Sequence, residues 1–222
     1  LAGLDDDQWA SPSRCEGWTV ADVVSHLVTV TGFFAISIGS GRAGSPTKFL
    51  ATFDPVTSPE QLVAATRGTP PTELLEKYHE AVEGLAGAID GMDLDEWTVL
   101  AEAPPGHIGA YGVALHALWD AWVHELDIAV PLGLDLVVEP DEVTECVRYA
   151  SVLGPAFLAS FDDGRTGTLV LESTDPSVAF TVDVGPTVTV RSGLPAQGTD
   201  VTATVRGTAV ELLEGLSFRV PL

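Results

Sequence analysis

The sequence predicts an α+β protein, with a bundle of four long helices followed by a small α+β domain. Three observations carry that expectation. Apolar residues recur at helical spacing through the first two-thirds of the chain, short β-branched runs replace them after Gly164, and 222 residues suffice for two sizeable cores. The expected division is a helical bundle over residues 1–160 and a small α+β domain over residues 165–222.

The first long helix is marked by its cap. Thr19 and Asp22 form a Thr-x-x-Asp pattern whose side chains can satisfy free N–H groups, and Val20, Val23, Val24, Leu27, Val30 and Phe34 follow at helical spacing. The run ends at Gly39-Ser40-Gly41, with a loop expected from there to about Pro55. Ser58-Pro59-Glu60-Gln61 opens a short helix with proline in its first turn. Pro70-Pro71 starts the second long helix, which carries Leu74, Leu75, Tyr78, Val82, Leu85 and Ile89 on one face. The third runs from about His107 to Ala129 and stops at Pro131-Leu132-Gly133. The fourth begins near Pro140 and carries Val143, Val147, Ala150, Leu153 and Phe157. After the turn Asp162-Asp163-Gly164, strands are expected at 168–172, 178–182, 188–191 and 201–205, with a last helix from about Thr208 to Leu216.

Charge excludes some functions. Ten Lys plus Arg stand against 32 Asp plus Glu, a formal net charge of -22. Such a field repels phosphate backbones and anionic lipid surfaces, so nucleic-acid and membrane partners are not expected. The most apolar stretch, residues 23–38, is shorter than the roughly 20 residues of a bilayer span. No targeting segment is read, and Cys15 and Cys146 are too few for a disulfide framework. A cytoplasmic protein with two reduced thiols is expected.

Chemistry concentrates in the third long helix. His116, Asp120 and His124 fall at i, i+4 and i+8 and stack along one face of an otherwise apolar helix. Imidazole and carboxylate on adjacent turns can reach one divalent ion. A solvated stripe with an Asp–His hydrogen bond satisfies the same spacing and is the commoner outcome. His26 lies on the flank of the first helix's apolar stripe, and a lone histidine there is more often a core residue than a ligand. Together, His26, Asp120 and His124 could supply three ligands and leave one coordination position open, as in a catalytic zinc site. His79 is expected to be exposed and His107 to lie in a loop. Cys15 is a packed thiol, a fourth ligand or a nucleophile. The five Trp residues are expected as core or pocket walls.

Two segments carry a resemblance. Leu4-Asp-Asp-Asp-Gln-Trp9 followed by Cys15-Glu-Gly-Trp18-Thr-Val-Ala-Asp22-Val-Val-Ser-His26-Leu27 resembles the N-terminal signature of the mycothiol-dependent maleylpyruvate isomerase family. Trp119-Asp120-Ala-Trp122-Val-His124-Glu-Leu-Asp127 resembles that family's second metal motif. The stretch Asp200-Val-Thr-Ala-Thr-Val-Arg-Gly207-Thr-Ala-Val-Glu-Leu-Leu213, with Phe218-Arg219, is similar to its sterol-carrier-like C-terminal domain. The resemblance implies a DinB-like metal-binding four-helix bundle, a divalent metal (zinc by its donors) and mycothiol as thiol cofactor. Carried over by position, the ligands are His26, Asp120 and His124, with Arg219 as an active-site arginine. The family carries Glu at the position of Asp120, and it commonly has Arg where this chain has Ala117. The Trp-Gly that usually precedes the C-terminal arginine is Ser217-Phe218 here.

The implied chemistry is thiol addition. The ionised thiol adds to an activated alkene, the new single bond rotates, and elimination gives the other geometric isomer. The same bundle could instead pass the thiol to an electrophile, so an isomerase or S-transferase acting on a small electrophilic or unsaturated substrate is expected. The alternative is a non-catalytic metal-binding or small-ligand-binding protein with the same fold.

Overall fold

The computed structural model describes residues 1–160 and 164–221 and divides into two compact units, Leu1–Leu136 and Val137–Leu222. The class is α+β. The expected turn at Asp162-Asp163-Gly164 lies partly outside the described residues.

In the first unit, α1 (Asp6–Trp9) leads through a short loop to α2 (Val20–Arg42), followed by α3 (Ser58–Ala64) and α4 (Pro71–Ile89). A 3₁₀ turn (Glu96–Thr98), the hairpin β1 (Leu100–Ala103) and β2 (Gly106–Gly109), and α5 (Ala110–Leu132) complete it. The Thr19–Asp22 capping box forms as the sequence predicts. α2 is the axis of the unit, and both α4 and α5 pack on it. At 23 residues α2 has the length and apolarity of a membrane span. Its Val20, Val23, Val24, Phe34 and Ile38 are nonetheless buried in the protein core.

The hairpin was not expected. The sequence places a loop there and starts the third long helix near His107, whereas His107 lies in β2 and α5 begins at Ala110. A four-residue strand of Gly-His-Ile-Gly carries too little β signal to be seen from sequence. Packing holds it. A Cβ on Gly41 of α2 would meet the Leu100 carbonyl oxygen, so the helix touches β1 only because residue 41 is glycine. Beside it, the Ser37 hydroxyl donates to Glu102 O at 2.9 Å and accepts from Glu102 N at 2.6 Å. This close contact also carries α2 to Arg42, past the expected stop at Gly39.

The second unit begins with α6 (Pro140–Ser160). The sequence assigns this helix to the bundle. Its packing puts it in the second unit, against α7 (Ala209–Leu216), β4 and β5. The Arg148 guanidinium lies 4.9 Å from the centre of the Phe180 ring. Strands β3 (Gly167–Thr174), β4 (Ser177–Val184), β5 (Thr189–Ser192) and β6 (Ala203–Gly207) form one sheet in the order β5-β4-β3-β6. β3 pairs parallel to β6, and the other pairs are antiparallel. The four strands and α7 fall close to where the sequence predicts them, and a Thr208–Glu211 capping box opens α7.

Candidate metal centre

Two helices and one loop build the site. The capping box fixes the start of α2, so His26 projects from its second turn. α5 presents Asp120, His124 and Asp127 at i, i+4 and i+7, one continuous stripe. The loop before α2 is pinned onto α5 because the Arg14 N–H donates to the Asp127 carbonyl at 3.0 Å. That bond sets Cys15 beside the same residue.

The ligand atoms converge. His26 Nε2 lies 3.5 Å from Asp120 Oδ2, and His124 Nε2 lies 3.7 Å from Asp120 Oδ1. The two imidazole rings meet edge to face at 4.8 Å. Donor atoms at 2.0–2.1 Å on one tetrahedral ion stand about 3.4 Å apart. The observed spacings are those of atoms sharing an ion, longer than the hydrogen bonds the same groups could make. Asp120 Oδ2 is buried with no hydrogen-bond partner, a cost that a cation between it and the imidazoles would remove.

The carboxylates draw positive charge, proton or ion, to the cluster. Burial opposes ionisation of Asp120, yet His124, then His26 and His116, hold its carboxyl well below the usual range. Burial also opposes the charged form of His124, but the Asp120 charge and the bond to Asp127 push it up to about 10. His116 is pushed down to about 4 by burial. Its ring lies tilted against Phe34 at 4.9 Å and edge to face with Trp119 at 5.4 Å.

A second group shares His124 from its other side. Asp127 Oδ2 lies 3.0 Å from His124 Nδ1 and accepts a bond from the Cys15 thiol at 3.2 Å. Cys15 Sγ is 3.6 Å from the same Nδ1, and Arg14 Nε is 3.8 Å from Asp127 Oδ1. Cys15, His124 and Asp127 therefore form a second possible ligand set. Asp127 is fully buried and already meets an imidazole, a thiol and a guanidinium. A carboxylate on the far nitrogen of a ligating histidine fixes the tautomer that leaves Nε2 free for metal. Sequence reasoning did not assign Asp127 a role, although its place three residues after His124 on the same stripe was a usable signal.

The remaining candidates scatter. His79 is exposed on α4, and His107 Nε2 donates to the Thr47 carbonyl at 2.7 Å. Trp18 packs 5.4 Å from the His26 ring and donates to Glu60 at 2.7 Å. Arg219 follows α7 in the second unit and donates to the Ser217 carbonyl at 3.2 Å. Beside the ligand stripe, an apolar cleft of about 650 Å³ opens between α4 and α5.

Residues 1–129 match the model of the mycothiol maleylpyruvate isomerase N-terminal domain, more than half of the chain. The chain belongs to that family. Among curated proteins, two uncharacterized proteins of Mycobacterium tuberculosis, from strains CDC 1551 / Oshkosh and ATCC 25618 / H37Rv, are each 29% identical to this maleylpyruvate isomerase family member over 159 residues. These alignments cover 69% of the chain but 57% of each relative's length. Two crystal structures of the mycothiol-dependent maleylpyruvate isomerase, one of a histidine-to-alanine variant, share its fold at a TM-score of 0.64. They are 16% and 17% identical to it and cover 98% of this chain and 81% of theirs. At that identity the likeness concerns the fold alone.

Proposed function

We propose that this chain is a metal- and thiol-dependent enzyme, an isomerase or S-transferase that uses mycothiol on a small electrophilic or unsaturated substrate. His26, Asp120 and His124 hold one divalent ion. Two imidazoles and a carboxylate favour zinc, and three protein ligands leave a position for a thiol. The observation that carries this reading is the Asp120 carboxylate, whose two oxygens each face an imidazole at ligand spacing and whose Oδ2 has no hydrogen-bond partner among the described residues. When bound, the ion keeps a coordinated thiol ionised near neutral pH.

The chain's own residues do the rest. Asp127 orients His124 by accepting from Nδ1, and Cys15 and Arg14 hold Asp127 in turn. Asp120 is one methylene shorter than the Glu of the family pattern, so its carboxylate would hold an ion nearer the helix or through a water. Arg219 supplies positive charge for an anionic group of the substrate and takes no part in holding metal, since a guanidinium has no lone pair to offer a cation.

Metal analysis of purified variants tests the site. Wild type is expected to hold one zinc per chain, His26→Ala and His124→Ala to hold none, and Asp120→Glu to retain it. Arg219→Ala is expected to keep zinc and lose turnover. Equal zinc in wild type and His124→Ala would end the proposal. Cobalt substitution separates the two ligand sets. An intense thiolate-to-cobalt absorption band that disappears in Cys15→Ser would place the ion on Cys15, Asp127 and His124 instead. Thiol dependence is read with mycothiol and a panel of electrophiles and cis-dienoates, with and without chelator.

A further inference from the structure

Building on the thiol-activating site proposed above, we propose that the α4–α5 cleft binds the apolar body of the second substrate. The chain would then select an electrophile with an uncharged aryl or alkyl group and at most one anionic group, not a compact dianion.

The cleft adjoins the ligand-bearing face of α5. Ala117 and Ala121 line it, and in sequence they flank Asp120 at i−3 and i+1. On α5 these two alanines lie next to the Asp120–His124 stripe and face away from His116. From α4, Tyr78 closes the same end. Burial raises its hydroxyl pKa, and the charges of Glu125 and Asp120 raise it further, so the hydroxyl lies within the field of the Asp120 carboxylate.

The lining selects the ligand. Val82, Leu85, Ile89, Leu94, Leu115 and Leu118 make its walls, and the only polar side-chain groups facing it are the Thr31 and Tyr78 hydroxyls and the Trp97 and Tyr111 polar tips. The Trp97 and Tyr111 rings stand edge to face at 6.2 Å and form an aromatic corner. Among the described residues that line the cleft there is no Lys, Arg or His. Along this lining a substrate with two carboxylates would lose its hydration and meet no cationic side chain. Mycothiol's hydroxyl-rich body would also find few partners, so the cleft suits the electrophile better than the thiol. A volume of about 650 Å³ is the size of a small-molecule site, which runs roughly 300–1,000 Å³. The mouth is accessible, with Val82, Tyr111 and Leu94 exposed.

The test uses the zinc-loaded full chain and the uncharged probe N-phenyl-1-naphthylamine, whose emission rises in apolar surroundings. One probe per chain is expected. Methyl cinnamate, an uncharged aryl alkene, should displace it, and maleate should not. Leu85→Glu and Leu94→Glu each place a carboxylate in the cleft and should weaken the probe roughly tenfold or more with zinc content unchanged. Leu94 is so exposed that its replacement does not threaten folding. The proposal is overturned if the probe does not bind, if both variants bind it as wild type does, or if maleate displaces it as well as methyl cinnamate does. Sedimentation adds a further outcome: a wild-type dimer that Leu94→Glu turns into a monomer would assign the cleft to a second copy of the chain and overturn the ligand reading. A chain that holds no zinc but binds the probe with the expected selectivity would sink the thiol-activating reading and leave the cleft assignment standing.

Discussion

Asp127 Oδ2 lies 3.0 Å from Nδ1 of His124, and Asp127 has no exposed surface. The pair fixes the ring of a histidine on an apolar helix. The buried carboxylate needs a donor, and Nδ1–H supplies it, so that Nε2 is the nitrogen facing Asp120 and His26, where an ion could take the place of its proton.

Asp127→Asn keeps the shape of that contact and removes its charge. Zinc affinity, measured by competition with a chromophoric chelator, should fall about 10- to 100-fold while His26, Asp120 and His124 still bind. An affinity equal to wild type would mean that Asp127 does not orient the ligand.

Zinc removal should lower stability in proportion to site occupancy. A ligand bound only by the folded state stabilises by about 2.7 kcal/mol at a hundredfold excess over its Kd. A chelator should therefore lower the Tm of wild type and leave that of His124→Ala unchanged. A chelator effect of equal size in both proteins would place the stabilising ion elsewhere.

Glu102 should make stability pH-dependent. Burial opposes its charge, but backbone N–H groups of Leu50 and Phe49, at 2.9 and 2.7 Å, hold its pKa below the usual value. A depressed folded pKa contributes stability that is present above the unfolded pKa of about 4.3 and is lost as pH falls through the folded value. Glu102→Gln should cost about 1–3 kcal/mol at pH 7 in denaturant titrations. The gap to wild type should close below about pH 4. A gap that stays constant down to acid pH would show that shape and not charge holds the loop.

The two thiols should differ in reactivity. Both cysteines are free. Cys146 is buried, and burial followed by the charges of Glu142 and Glu145 pushes its thiol up to about 12. Cys15 is half-buried. Alkylation at neutral pH followed by mass mapping should mark Cys15 first and reach Cys146 only after denaturation. Early labelling of Cys146 would show that α6 opens readily.

What the sequence determined by itself was local. Thr19 and Asp22 set the start of α2, the i, i+4 spacing put Asp120 and His124 on one stripe, and β-branched runs placed the four strands of the second unit. Each depends on neighbours within a turn or a strand, which periodicity and capping report. His26 alone reads as a core histidine; it became a candidate ligand in combination with Asp120 and His124, and the motif resemblance pointed to the same three residues. Tertiary structure decided what depends on distant partners. The Leu100–Gly109 hairpin exists because Gly41 and Ser37 receive it. α6 joins the strands because its packing partners are β4, β5 and α7. Arg14 and Cys15 meet Asp127 only because the loop before α2 folds against α5. The α4–α5 cleft arises because both helices pack on α2, and no run of residues encodes that space.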